Sequence, residues 1–264
     1  MSLQDRLLLG FLLAGVIAEL ARRARALSAS GAVAATLAGT VACAVGWTWA
    51  LVLLAFFVTS SLLSRWRTAF KARATGALVA KGGPRDAWQV LSNGGVYTVA
   101  AIATLAYPTA DWALAGLGAL ATMTADTWST EIGIALGGTP RLLGRWRRVP
   151  PGTSGAVSVA GTVALLAGAI FLGLVALIVH FPVPSVEPAV LGGAFGALVD
   201  TMLGATMQER RWCPRCAQQT EQSIHACGAT TERASGVSWM DNDIVNLTSS
   251  VAGAALAVAA GRWI

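Results

Sequence analysis

Apolar residues run through this chain in long blocks, separated by short segments that hold most of the charge. The blocks predict eight helical spans, at about 3–21, 29–46, 48–63, 93–108, 112–136, 154–181, 189–206 and 240–261. Each approaches the roughly 20 apolar residues that cross a bilayer. The uncharged stretch 29–63 is too long for one span at about 1.5 Å of rise per residue. It is therefore divided at Gly46-Trp47-Thr48-Trp49, where an interfacial tryptophan pair suits a turn. The predicted fold is all-α: a polytopic transmembrane helix bundle of about eight spans, one domain over 1–264, with a small cytoplasmic Cys/His loop at 207–239.

Composition agrees with that pattern. Of the 264 residues 55% are hydrophobic and 12% charged, with a mean hydropathy of +0.62; soluble domains carry roughly 25% charge. A disordered chain, a disulfide scaffold and an ordinary soluble enzyme are excluded. Seventeen of the 19 basic residues fall in 22–25, 64–92, 138–153 and 207–239, and none in the connections around Gly46-Trp47, Tyr107-Pro108 and Phe181-Pro182-Val183-Pro184. The positive-inside rule then places those loops in the cytoplasm and both termini outside. The first run, followed by Arg22-Arg23, reads as a true span rather than a cleavable signal. No internal repeat stands out, and no nucleic-acid partner is expected.

Charged groups at membrane depth usually mark function, because burying one in hydrocarbon costs about 2.5–3.5 kcal/mol or more. Seven of the 13 acids, including Glu209 and Glu221, read as tail, loop or span-edge residues; Glu19, Asp126, Glu131, Asp200, Asp241 and Asp243 remain. Most of these six lie toward the cytoplasmic ends of their spans, with Asp126 deeper, so they converge beneath the basic loops. Clustered carboxylates hold hard cations such as Mg²⁺. Arginine or lysine beside glycine-rich turns and helix starts holds phosphate. Two such turns occur, Lys81-Gly82-Gly83-Pro84-Arg85 and Pro150-Pro151-Gly152-Thr153-Ser154-Gly155, the second opening the sixth span. Together they suggest phosphoryl chemistry on a lipid-soluble substrate.

Plainer readings stand beside this one. Glu19 or Asp200 could pair with a neighbouring basic or polar side chain, Asp241 could cap a helix, and an acid cluster could be a proton or cation pathway. Asp126 and Glu131 are about 140° apart around an ideal helix. They serve one site only if it wraps the helix or the helix is distorted near Gly133. Asp243 and Asn246 are i,i+3 neighbours on one face.

Cys43 lies in an apolar span and reads as a small packing residue. Cys213, Cys216, His225 and Cys227 form a C-x2-C-x8-H-x-C array, the four soft ligands of a closed structural Zn²⁺ site. A redox-sensitive thiol group is the alternative. Either would staple a loop across the mouth of the site.

Six motifs carry a resemblance. They are Ser28-Ala-Ser-Gly-Ala-Val-Ala-Ala-Thr-Leu-Ala-Gly39, Gln89-Val-Leu-Ser-Asn-Gly94, Ala125-Asp-Thr-Trp-Ser-Thr-Glu-Ile-Gly133, Pro151-Gly-Thr-Ser-Gly-Ala-Val-Ser158, Asp200-Thr-Met-Leu-Gly-Ala-Thr-Met-Gln208 and Trp239-Met-Asp-Asn-Asp-Ile-Val-Asn246. In this order, and over nearly the whole chain, they resemble the integral-membrane family that includes plant phytyl-phosphate kinase. More distantly, the Asp-x4-Glu-x-Gly and Asp-Asn-Asp segments look like those of phytol and dolichol kinases and CDP-diacylglycerol synthase. The resemblance implies transfer of a phosphoryl group from a nucleoside triphosphate, with CTP favoured over ATP, to an isoprenyl monophosphate such as phytyl or geranylgeranyl phosphate.

On that reading Asp126, Glu131, Asp200 and Asp243 are candidate Mg²⁺ ligands and catalytic groups. Lys81, Arg85, Arg145, Arg148, Thr153 and Ser154 are candidate phosphate binders, and Gln89, Asn93, Asp241, Asn242 and Asn246 complete the nucleotide or metal shell. The prenyl tail lies between spans among membrane lipid, and a homodimer is left open. Two alternatives remain: a CTP-dependent nucleotidyltransferase acting on a lipid phosphate, and a cation-coupled transporter.

Overall fold

Capping residues set most of the helix boundaries, and they move three of the expected ones. In the computed structural model, which describes residues 1–76 and 83–263, α1 (Leu3–Arg23) starts behind a Ser2–Asp5 capping box. In α2 (Ala29–Val45) the first turn is capped by Ser28 Oγ, which accepts from Gly31 N at 3.1 Å. The chain then breaks at Gly46, as the length of the apolar stretch requires, and continues as α3 (Trp47–Arg65). A short helix that hydropathy does not reveal, α4 (Thr68–Thr75), follows inside the expected basic loop.

The α5 helix (Ala87–Ala106) begins six residues before the expected span, because Asp86 and Gln89 form a reciprocal capping box. After α6 (Ala110–Leu136), the strands β1 (Arg141–Leu142) and β2 (Ala156–Val157) pair antiparallel. They draw the glycine turn away from the next helix. Thr153 and Ser154 are therefore not a helix start: α7 (Val159–Ile178) opens at Ser158, whose Oγ accepts from Gly161 N at 3.1 Å. After α8 (Glu187–Thr206), the strands β3 (Arg210–Cys213), β4 (Gln218–Thr220) and β5 (Glu232–Ser235) form an antiparallel sheet in the order β4-β3-β5. The last helix, α9 (Asn242–Gly261), is capped by Asp241, whose Oδ1 accepts from Ile244 N at 3.0 Å.

Eight long helices thus occupy the eight expected segments. By length and composition α3, α7, α8 and α9 qualify as membrane spans, and α2 is apolar but shorter. The outer surface is apolar, with Leu8, Leu20, Val99, Val163, Ile178 and Leu198 at least half exposed, whereas the interior is largely alanine and glycine. A bundle in lipid has this inverted character, because large side chains gain nothing by turning inward and small ones let backbones approach.

The closest approach joins α6, α8 and α9. A Cβ added at Gly253 or at Gly196 would overlap Thr122 Oγ1, and one at Gly192 would overlap Gly253 O. Thr122 Oγ1 itself donates to Gly118 O at 2.9 Å in its own helix and reaches Gly192 O across the seam at 3.4 Å. At one end of the bundle Trp49 packs against Tyr97 and Phe181, with ring centroids 5.1 and 4.9 Å apart. At the other end the basic loops gather: Ser28 N donates to Arg85 O at 3.0 Å, and Arg67 Nη1 reaches Ala135 O at 2.9 Å.

Gly253→Ala is expected to destabilise the protein by about 1–3 kcal/mol, the usual cost of overpacking. Gly94→Ala, whose added Cβ meets nothing within 4 Å, is expected to be neutral or stabilising through helix propensity. Thermal unfolding in detergent of the two variants against the parent checks both.

Candidate functional site

The same three helices bring the carboxylates together. Asp126 follows Thr122 by one turn of α6, and Asp200 follows Gly196 by one turn of α8; Ser249 and Asn246 precede Gly253 on α9. Asp126 and Asp200 lie within hydrogen-bonding reach of each other. Asp200 Oδ2 also accepts from Ser249 Oγ at 3.1 Å. The Asn246 amide sits 2.8 Å from the Asn93 amide on one side and 3.1 Å from Asp200 Oδ2 on the other, so the orientation that turns its NH₂ to the carboxylate donates there. Asp243 is buried one turn before Asn246.

All of these groups except Ser249 line a cavity of about 1000 Å³ at the end of the bundle where the basic loops gather. Asp126, Glu131, Asp200 and Asp243 all face it, as do Arg85, Gln89, Asn93, Thr153, Ser154, Asp241, Asn242 and Asn246. α6 is an unbroken helix through Gly133, so Asp126 and Glu131 reach one space because the cavity wraps around it. Several of these residues have prior duties: Gln89 Oε1 accepts from Asp86 N at 3.1 Å, Asp241 caps α9, Thr153 Oγ1 donates to Pro150 O at 2.7 Å and Ser154 Oγ donates to Glu221.

Two expected phosphate binders are elsewhere. Arg145 and Arg148 are exposed and do not line the cavity. Leu142 and Val149 turn inward from the same hairpin, which points the intervening arginines out. Lys81 lies outside the described residues. Glu19 is also remote from the cavity and pairs on the surface of α1 with Arg22 and Arg23, at 2.6 and 2.9 Å.

Arg85 is held in place by its backbone: its N–H donates to Ala26 O and its C=O accepts from Ser28 N, both at 3.0 Å. Gly31 has no room for a Cβ because Arg85 O occupies that space. The guanidinium donates to Ser64 Oγ at 3.0 Å and Ser61 Oγ at 3.4 Å. Burial pulls its pKa down, and Glu131 opposes that shift through space. A half-buried guanidinium solvated by hydroxyls is suited to an incoming anion. Sequence reasoning missed Lys71, which is buried on α4 and forms an ion pair with Glu131 while donating to Leu63 O at 2.7 Å and Ser64 O at 3.1 Å. It also passed over Glu209, Glu221, Arg25, Arg65 and Arg211, all of which line the cavity; α4 has no hydropathy signature, and a loop acid shows its target only in three dimensions.

The Cys/His loop assembles as a cluster. Cys213, Cys216, His225 and Cys227 place one ligand atom each within 4.8 Å of one another, which suits a metal ion. Cys213 Sγ lies 3.6 Å from Cys227 Sγ, and His225 Nδ1 lies 3.2 Å from Cys227 Sγ. His225 is buried, and its Nε2 meets no hydrogen-bond partner among the described residues. The Ala229 N–H, followed by His225, pulls the Cys227 thiol down to about 6, whereas its bond to Cys227 pushes Cys216 up to about 11. These contacts favour the thiolate form of Cys227, the form that binds a cation.

Comparison with known proteins agrees with this architecture. The family model described as Integral membrane protein DUF92 matches residues 12–254. The chain belongs to this family. It is 30% identical to Protein PGR of Arabidopsis thaliana, covering 94% of this chain and 93% of that protein. It is 30% identical to an uncharacterized membrane protein of Methanocaldococcus jannaschii, covering 78% and 84%. Protein VTE6, chloroplastic, of Arabidopsis thaliana is 28% identical over 90% of this chain and 66% of its own length. No solved structure matches. For this DUF92 member, metal analysis of the purified protein is expected to give about one zinc per chain, the content of a closed four-ligand site. Cys213→Ser is expected to lose it, and Cys43→Ser, which alters a buried residue of α2, to keep it.

Proposed function

We propose that this DUF92 protein transfers a phosphoryl group from a nucleoside triphosphate, CTP in preference to ATP, to an isoprenyl monophosphate at the cytoplasmic face of a membrane. The carrying observation is that Asp126, Asp200, Asp243 and Glu131 share one cavity with the half-buried Arg85 guanidinium. Carboxylates and a guanidinium in one pocket suit a metal-bound polyphosphate and a second phosphate. The motif resemblance to the phytyl-phosphate kinase family, together with the likeness to VTE6, supports the prenyl acceptor. The cytoplasmic side is supported by the basic loops at the cavity end. In that orientation all eight long helices are assigned to the membrane, with both termini outside.

In this reading Asp126, Asp200 and Asp243, with Glu131 beside Lys71, hold Mg²⁺. The ion's contribution is to neutralise charge on the transferring phosphate. Arg85 binds phosphate oxygens, and Ser61 and Ser64 fix its direction. Thr153 and Ser154 contribute hydroxyls at the rim, while Asn93, Asn242 and Asn246 orient the acidic groups. An oxygen of the prenyl monophosphate attacks the terminal phosphorus of the nucleotide. One P–O bond forms, the bond to the nucleoside diphosphate breaks, and a prenyl diphosphate leaves. The attacking oxygen is already anionic at neutral pH, so no general base is needed; catalysis is positioning and charge stabilisation.

The test is turnover in detergent with Mg²⁺, CTP or ATP, and phytyl or geranylgeranyl monophosphate. Prenyl diphosphate plus nucleoside diphosphate is expected; pyrophosphate release would instead make the protein a nucleotidyltransferase. Asp126→Asn is expected to lower turnover by roughly 100-fold or more while circular dichroism stays unchanged. Full activity in that variant would refute the cation assignment.

A further inference from the structure

Glu221 is one of the groups in the cavity that neither hydropathy nor motif accounts for. It lies on no helix. It follows β4 directly and sits midway between two members of the Cys3His cluster, Cys216 and His225. Its carboxylate accepts from Ser154 Oγ and, at 3.1 Å, from Gln208 Nε2. It is near enough to Asp200 to act on it electrostatically. Glu221, like Glu209, is therefore a carboxylate of the cavity delivered by the β-sheet segment and not by the bundle.

What holds that segment is equally specific. Thr231 Oγ1 donates to Gln222 O at 2.6 Å or Ser223 O at 3.0 Å, and Thr231 N donates to Ser223 O at 3.0 Å. Arg211 in turn grips Thr231 through Oγ1 at 2.8 Å and O at 2.7 Å. These bonds depend on a sheet whose strands are only three or four residues long. So small a module lacks the core to hold itself together and relies on a metal or disulfide staple. The cluster supplies the ligands, with His225 Nδ1 turned toward it at 3.2 Å from Cys227 Sγ.

We infer that metal bound at Cys213, Cys216, His225 and Cys227 holds Glu221 in the acidic cavity, so that occupancy of the loop site sets the affinity of the cavity for a divalent cation. This rests on the proposed function for its biological meaning but not for its measurement. Loss of the loop metal opens the 216–225 segment, withdraws Glu221 from Ser154 and Gln208, and leaves Asp126, Asp200 and Asp243 with a weaker cation site. The protein would then respond to zinc supply or thiol oxidation without any change in its helices.

The test uses the full chain in detergent with Mn²⁺ as the probe, its binding read by electron paramagnetic resonance and the zinc content measured in parallel. Glu221→Gln is expected to weaken Mn²⁺ binding by about tenfold or more, the usual cost of removing a supporting group at a metal site, with zinc retained. Cys216→Ser is expected to lose zinc and to weaken Mn²⁺ binding to the same extent, and the double variant to be no worse than either single one. Should Cys216→Ser fail to fold, Ser154→Ala with Gln208→Met releases Glu221 without touching the cluster and is expected to weaken Mn²⁺ binding in the same direction. Unchanged Mn²⁺ affinity in Glu221→Gln, full additivity in the double variant, or a parent protein that binds no Mn²⁺ would each overturn the inference. Absence of prenyl-phosphate turnover in a parent that binds Mn²⁺ would count against the kinase reading alone.

Discussion

The structure depends on how closely α6, α8 and α9 can approach. Gly118, Gly192, Gly196 and Gly253 remove the side chains that would keep the three backbones apart, and Thr122 fills the space left between them. That contact fixes the rotation of each helix as well as its distance. Asp126 lies one turn beyond Thr122, Asp200 one turn beyond Gly196, and Ser249 one turn before Gly253. Helical side chains recur on one face at i and i+4, so packing the glycine face must also present the acidic face. A helix rotated to relieve a new Cβ at Gly253 would swing Ser249 and Asn246 away from Asp200. The glycine seam and the acidic cavity are one constraint seen at two heights.

What could be read from sequence follows from this geometry. Spans were legible because hydropathy is a local property, and the break at Gly46 followed from length alone. Asp126, Asp200 and Asp243 were legible because an acid in an apolar helix has few bland explanations. Boundaries set by side-chain caps were less so. The Asp86–Gln89 box lengthens α5 where hydropathy has already ended, and the β1–β2 pairing delays α7. Lys71 and Glu221 were illegible for a different reason. A lysine in a basic loop and a glutamate in a polar loop are ordinary residues, and only tertiary structure sets Lys71 against Glu131 and Glu221 against Ser154. Arg145 and Arg148 illustrate the converse, since charge and a nearby glycine turn suggested a site from which their hairpin directs them away.

The bundle and the β-sheet segment divide the work by rigidity. Helices buried in lipid have every backbone group satisfied within themselves, so the carboxylates that they carry are fixed as well as the helices are. The segment 207–241 has no such support. It is tied to the bundle by Arg210, which donates to Ser154 O at 3.1 Å and Gly204 O at 3.0 Å, and its two ends are tied to each other by Glu209 N, which donates to Met240 O at 2.8 Å. Gly236 has no room for a Cβ because Gln208 O is already there, and its φ of +83° suits glycine alone. The loop is therefore closed at its two ends, and the Cys3His residues gather in its middle.

Charge balance decides what such a cavity can hold. Four of its cationic side chains already have partners: Lys71 is paired with Glu131, Arg211 with Glu209 and Thr231, Arg85 with the Ser61 and Ser64 hydroxyls, and Arg65 with Ala24 O. Asp126 and Asp200 adjoin each other, and the donors to Asp200 are a hydroxyl and an amide. Two neighbouring carboxylates repel strongly where water is scarce, and neutral donors offset only part of that. A cation from solution relieves the repulsion at the acidic end while leaving Arg85, solvated by exchangeable hydroxyls, to meet an anion at the other. A transporter for a bare cation has no use for that guanidinium. A bound pair of metal ion and polyphosphate uses both ends, and this asymmetry is the physical ground for reading the cavity as a phosphoryl-transfer site.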